Sequence, residues 1–343
     1  MSLKVPQRIL VTRTDRLGDV ILATPVLKEL RKRFPDSQIT LMVQESWIPV
    51  LQYGSEIDIL SFQPKISLKE LTELLSAQGF DRAYVLRDEP LITKAVRKAK
   101  IPERIGPYST LRSLLSFNYG RFQKRSRCRL HESEYNLDLV HPQLAADRED
   151  SLPRAWVATS AEAKSRAQQY LLAQGLLPQK FVVIHPGSSG SARYVKIEVL
   201  YALARRILLS GRAVCISGGP AEAEILVSFQ RAVPEVKLLG AGTAIGLDGM
   251  AEVYRQAQAV IAHGTGPLHL AAAVGAPTLA IFPPIFVLSE KRWGPLSSKR
   301  AVWVPNVPCP AKYRCHGPKC SYYDCMDLFN VEAAMNLLEK VLS

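Results

Sequence analysis

Negative charge is what this sequence is short of. Only 31 Asp and Glu stand against 44 Lys and Arg over 343 residues, a formal net charge of +13. That imbalance implies an anionic partner: nucleotide phosphates, nucleic acid or an acidic membrane face. Long apolar runs are missing too. The longest nearly uncharged stretch, Leu268 to Leu288, is broken by Pro277, Pro283 and Pro284, so no membrane-spanning helix is expected there. No secretory leader pattern precedes the first strand; Met1 to Gln7 runs straight into it, and a cytoplasmic protein is expected. In that compartment disulfides are not expected.

The six cysteines divide unevenly. Cys128 and Cys215 stand alone, and Cys215 reads as core of the apolar strand Ala213–Ile216. The other four, Cys309, Cys315, Cys320 and Cys325, crowd into the tail. Their spacing does not match the paired two-residue spacing of common zinc sites. A structural metal at these four is the alternative left open.

What is present is alternation. A chain of this length exceeds one ordinary core, which favours two α/β domains. Strand signals at Ile9–Arg13, Ile39–Val43 and Phe80–Leu86 alternate with helical periodicity at Val20–Phe34 and Leu68–Gln78. A basic region follows, from Lys94 through Arg112 to Arg129, with Tyr108, Phe117, Tyr119 and Phe122 interleaved. It fits an RNA face without any known stacking motif, or a wall that meets phosphorylated substrate or anionic lipid. The alternation restarts at Phe181–His185 and continues to Thr278–Phe282. The expected architecture is therefore two Rossmann-like parallel-sheet domains, 1–158 and 159–343, facing across a cleft. The final helix, about 331–343, is a candidate to pack back on the N-terminal domain.

Four turns carry the candidate chemistry. After the first strand, Thr14-Asp15-Arg16-Leu17-Gly18-Asp19 opens a helix with a carboxylate in its first turn. Ligands of open α/β sheets lie at such strand ends, and the helix start favours an ionised Asp19, a candidate general base. His185-Pro186-Gly187-Ser188-Ser189 continues to Arg193 and Lys196, offering amides, hydroxyls and cations to phosphate. An ordinary connector explains that loop equally well. Gly218-Gly219 precedes Glu222 and Glu224, carboxylates suited to ribose hydroxyls, although the dinucleotide fingerprint is absent. Finally Gly264-Thr265-Gly266-Pro267 opens a helix carrying His269, whose free amides can receive a pyrophosphate; a structural histidine is the alternative for His269.

Together these stretches resemble the bacterial heptosyltransferase family of glycosyltransferases, which act on lipopolysaccharide core and have the GT-B fold. The resemblance runs from RTDRLGDVILATPVLKEL through FDRAYVLRDE, HESEYNLDL (His131–Leu139), HPGSS, GGPAEAE and GTGPLHLAAA to the cysteine-rich tail. It implies an ADP-heptose-like donor held by the second domain and a lipid-linked or core saccharide acceptor on the first. Asp19 would then be the base of an inverting transfer that needs no catalytic metal and no cofactor. Ser188, Ser189, Thr265, Gly266 and His269 would meet the phosphates, with Arg193 or Lys196 substituting for a lysine absent here, and Glu222 or Glu224 would meet the ribose. Arg16, Gly18, Arg87 and Arg112 are the acceptor-side candidates. Peripheral contact with the anionic inner face of a membrane is implied, and no nucleic acid.

Two positions depart from the family pattern, both on the donor side. Gly264 stands where the family carries aspartate, and Ala192-Arg193-Tyr194-Val195 replaces Lys-Arg-Trp-Pro. They leave three other readings in play. One is a family member that binds a nucleotide sugar without turning it over, and another is a transferase with a different donor. The last is a nucleotide-sugar epimerase, against which the loss of charge at Gly264 counts.

Overall fold

The computed structural model describes residues 5–54, 57–141, 154–187, 194–240 and 244–343. Contacts divide the chain into two units, Met1–Ala158 and Thr159–Ser343.

The first unit runs β1 (Arg8–Thr12), α1 (Leu17–Ile21), α2 (Thr24–Arg33), β2 (Gln38–Gln44), β3 (Asp58–Phe62), α3 (Leu68–Ala77), β4 (Arg82–Val85), α4 (Pro90–Lys98), β5 (Glu103–Pro107), α5 (Leu111–Ser116), β6 (Tyr119–Arg121) and α6 (Glu132–Asp138). Its six strands lie in the order β3-β2-β1-β4-β5-β6, and every pair is parallel. One face of the sheet packs Leu10, Met42, Ala83 and Val85 against Leu71 and Leu75 of α3 and Ile92 and Val96 of α4. On α2 and α6, Val26, Leu27, Leu30, Tyr135 and Leu137 are also buried.

The second unit runs α7 (Ala161–Gln174), β7 (Phe181–His185), α8 (Ile197–Leu209), β8 (Ala213–Gly218), α9 (Ala223–Ala232), β9 (Lys237–Gly240), α10 (Gly246–Gln256), β10 (Ala259–His263), α11 (Gly266–Ala273), β11 (Thr278–Ile281), α12 (Glu290–Trp293), β12 (Arg300–Trp303) and α13 (Val331–Leu342). Its sheet, β12-β11-β10-β7-β8-β9, is also wholly parallel. Counted from its own first strand, this is the strand order of the first unit. The final helix α13 places Met335, Leu338 and Val341 in the core formed by α8 and the second sheet. Its apolar stripe is therefore spent within its own unit.

The expected helix Val20–Phe34 is two helices. Pro25 has no amide to donate and a ring that clashes with the preceding turn, so the helix restarts at Thr24, whose hydroxyl caps Ile21 O at 2.8 Å. Strands β3, β5, β6 and β12 have no clear signal in the sequence. They are short, and three lie towards sheet edges where side chains alternate weakly. Among the described residues no helix is long and apolar enough to cross a membrane.

Candidate active site

Doubly wound sheets open a crevice where the strand order reverses, at the carboxyl ends of the two central strands. In the first unit these are β1 and β4. Arg13 follows β1 directly and is almost fully buried. Its guanidinium donates from Nε to Asp15 Oδ1 (2.8 Å), from Nη1 to Asn136 Oδ1 (3.1 Å) and Glu132 Oε1 (3.2 Å), and from Nη2 to Asp19 Oδ1. Glu132 is 1% exposed and also accepts from Arg125, which in turn donates to Leu86 O at 2.8 Å. Helix α6 is fastened to the turn after α1, because Ser133 Oγ and Asn136 Nδ2 both donate to Leu22 O (2.7 and 3.3 Å). The network thus holds three carboxylates with two guanidinium groups.

That charge balance sets the basicity of Asp19. Burial pushes its carboxyl above the ordinary carboxylate range, Arg13 opposes the shift, and Asp15 and Glu132 add to it. The expectation that a helix start alone holds Asp19 ionised is therefore too simple. Helix α1 has only five residues; the counter-charge is Arg13. A carboxylate less acidic than usual, held by a fixed cation, is a better proton acceptor than a solvated one.

The acceptor-side candidates separate. Gly18 is buried inside α1, and Arg16 is exposed at the helix start with no side-chain cap. Arg87, 57% exposed, reaches Asp15 Oδ2 at 3.2 Å and so joins the same cluster. Arg112 does not; it is tied to Asp88 Oδ1 at 2.9 Å, where Thr93, Ser109 and Thr110 also donate.

In the second unit the reversal falls between β7 and β10, and each strand ends in a buried histidine. His185 Nδ1 lies 3.1 Å from Ser217 Oγ, which lies 2.7 Å from Tyr254 OH. Burial, with His263 nearby, pushes His185 down to about 3, and burial alone pushes His263 down to about 4. Both imidazoles are neutral at pH 7. His263 Nε2 accepts from Val195 N at 3.4 Å, and its Nδ1 meets no partner among the described residues.

Directly after His263 comes the start of α11. Thr265 is extended at the N-cap and contacts His263 O at 3.3 Å without capping the helix. Pro267 has no amide and Leu268 N donates to Thr265 O at 3.1 Å, which leaves the Gly266 amide at the helix start. His269 is buried in this helix. Gly264 is bare for a steric reason: a Cβ there would stand 2.3 Å from the ring of Phe282, which is buried at the end of β11. Glu222 folds back to accept from Gly219 N at 2.8 Å, close against Gly187, whereas Glu224 is exposed on the first turn of α9. Lys196 is paired with Asp327 at 2.7 Å. Ser188, Ser189 and Arg193 lie outside the described residues.

The tail cysteines bear on the alternative left open for them. Cys315 and Cys320 each accept a local amide, from Gly317 and Tyr322 at 3.4 Å, and none of the four tail cysteines forms a disulfide. Among the described residues no three His, Cys, Asp or Glu side chains gather as metal ligands. A structural metal held by Cys309, Cys315, Cys320 and Cys325 therefore has no support.

The buried partners Arg13, Glu132, Asn136 and Arg125 were not legible as site residues. The stretch HESEYNLDL carries the signal, since Glu132 and Asn136 are four apart on one helical face.

Two doubly wound units of the same strand order, each with polar groups at its switch point, make up the GT-B fold. The chain belongs to glycosyltransferase family 9 (heptosyltransferase), whose model matches residues 64–319. It is 24% identical over 285 residues to lipopolysaccharide heptosyltransferase 3 of Escherichia coli, covering 77% of this chain and 80% of that one. The fold is shared with E. coli ADP-heptose lps heptosyltransferase II (TM-score 0.80, 20% identity, 98% of each chain). It is shared also with E. coli heptosyltransferase WaaC, solved with ADP (TM-score 0.71, 17% identity, 97% of this chain and 99% of that one).

Proposed function

We propose that this glycosyltransferase moves a heptose-like sugar, with inversion, from an ADP-sugar to a lipopolysaccharide-core or similar lipid-linked saccharide, with Asp19 as general base. The observation that carries this reading is the pairing of a half-buried Asp19 with the buried Arg13, which fixes a carboxylate of raised basicity at the first switch point. In the step, an acceptor hydroxyl gives its proton to Asp19 and its oxygen bonds to the anomeric carbon. The bond from that carbon to the phosphate oxygen breaks, and the nucleoside diphosphate leaves with the electron pair. The Gly266 amide and the positive end of α11, with Thr265 and His269, are suited to the leaving diphosphate, so the reading calls for no metal or cofactor. Donor complexes in relatives fit this assignment: WaaC has been solved with ADP and with ADP-2-deoxy-2-fluoro heptose.

One observation favours a donor other than heptose. Phe282 fills the space beside Gly264, which puts an aromatic ring where the family pattern has a carboxylate. A panel of nucleotide sugars read by thermal shift separates the two donors, because a ligand at a hundred times its Kd stabilises by about 2.7 kcal/mol. The test of the base is Asp19→Asn. Transfer should fall by roughly 10²- to 10⁴-fold with donor binding retained; near-normal turnover removes Asp19 from its role.

A further inference from the structure

Charge and exposed apolar surface coincide in one segment of the first unit. Residues 91–130 carry eleven Lys and Arg against Glu103 alone, so they hold ten of the chain's thirteen net positive charges. Within them, twelve consecutive residues expose Leu111 (74%), Leu114 (46%), Leu115 (63%), Tyr119 (43%) and Phe122 (80%). The other large exposed apolar side chains of the described residues are scattered along the chain. Leu111, Leu114 and Leu115 belong to α5, Tyr119 to the edge strand β6, and Phe122 follows it with its ring 5.2 Å from that of Tyr108.

Single exposed leucines need no explanation, but several within one strongly basic segment do. Some of the basic residues are occupied: Arg112 with Asp88, Arg121 with Asp138, and Arg125 with Glu132. Lys94, Arg97, Lys98, Lys124, Arg127 and Arg129 are exposed, and none forms an ion pair among the described residues. An apolar ridge with cations beside it matches an anionic bilayer, whose headgroups meet the cations while leucine and phenylalanine enter the acyl boundary. Nucleic acid would use the charge but not the leucines, which cannot stack on bases.

We propose that α5, β6 and Phe122 form the surface by which this protein docks on an anionic lipid bilayer, with Lys124, Arg127 and Arg129 contacting headgroups. The surface deepens the lipid-linked reading of the acceptor, and its test needs neither donor nor acceptor. Its failure is thus separate from failure of the transfer reading. The full chain is mixed with vesicles of phosphatidylcholine alone or with about one third phosphatidylglycerol, and binding is read by co-sedimentation. Binding is expected only to the anionic vesicles, weakening about fivefold for each of Lys124, Arg127 and Arg129 changed to Gln. The triple variant Leu114→Ser, Leu115→Ser, Phe122→Ser should lose at least about tenfold while keeping the wild-type Tm. Equal binding to both vesicle types overturns the proposal, as does an unaltered triple variant or displacement of the protein from vesicles by single-stranded RNA.

Discussion

The two units share a strand order and a switch point, yet the chemistry placed there is opposite. The first unit buries charge: Arg13 and Arg125 against Asp15, Asp19 and Glu132. The second buries none in its histidine pair, because His185 and His263 are held neutral and the positive end of α11 supplies the polarity. Topology thus selects where a ligand sits, and the residue that follows each central strand selects what is done to it. A site with a titratable carboxylate is fitted to move a proton. One with neutral donors is fitted to hold an anion without competing for that proton.

The largest effect should come from breaking the charged site. Arg13→Met leaves Asp15, Asp19 and Glu132 with the half-buried Arg125 and the exposed Arg87 as cations, and removing one partner of a buried pair costs roughly 3–5 kcal/mol. A substantially lower Tm and collapsed transfer are expected; a Tm within a degree of wild type would show the network to be solvated.

Acid should act on the neutral site. Each histidine has a folded value below the ordinary 6.5, so the unfolded chain binds more protons between 6.5 and the folded values of about 3 and about 4. Stability is present above 6.5 and is lost as pH falls through that window, by about 2 kcal/mol per histidine at about pH 5. Asp19 works the other way. Its folded value is raised above 3.8, so its contribution favours folding at low pH and is lost as pH rises through the folded value. A denaturant series on His263→Asn should show a shallower acid loss than wild type. An unchanged slope would mean that the imidazole is protonated when folded.

The same contrast explains how much was legible in the sequence. Strand β10 and the turn after it are readable because an apolar run ends in His263 and a Gly-Thr-Gly-Pro start; local chemistry fixes them. Asp19 is readable for the same reason. The rest of its network is not, since Glu132 and Arg125 lie more than a hundred residues away; Glu132 meets Arg13, and Arg125 meets Glu132, only through the fold. Gly264 looked like a loss in the sequence. Its cause, the ring of Phe282 at the next strand end, is a tertiary contact that no local pattern carries.

That contact sets the next effect. Gly264→Ala forces a Cβ to within 2.3 Å of the Phe282 ring, and overpacking of this kind costs typically about 1–3 kcal/mol. Phe282→Leu alone leaves a partial cavity, so the double variant should be more stable than the sum of the two losses. Strict additivity would show that the ring swings aside freely.

The smallest effect concerns Lys196, where two uses of one cation compete. Its ammonium sits 2.7 Å from Asp327, and the lysine side chain is 57% exposed. Pairs so exposed contribute about 0–1 kcal/mol, so Asp327→Asn should barely change the Tm. It should nevertheless release the lysine for an anion. If Lys196 serves the donor diphosphate, the donor Kd in Asp327→Asn falls by a few-fold and that gain fades in high salt, since a freed surface cation acts through a screened field. If the donor Kd is unchanged at low salt, Lys196 is a structural tie to Asp327. The second switch point then relies on Thr265, His269 and the positive start of α11, and its contrast with the charged first unit becomes complete.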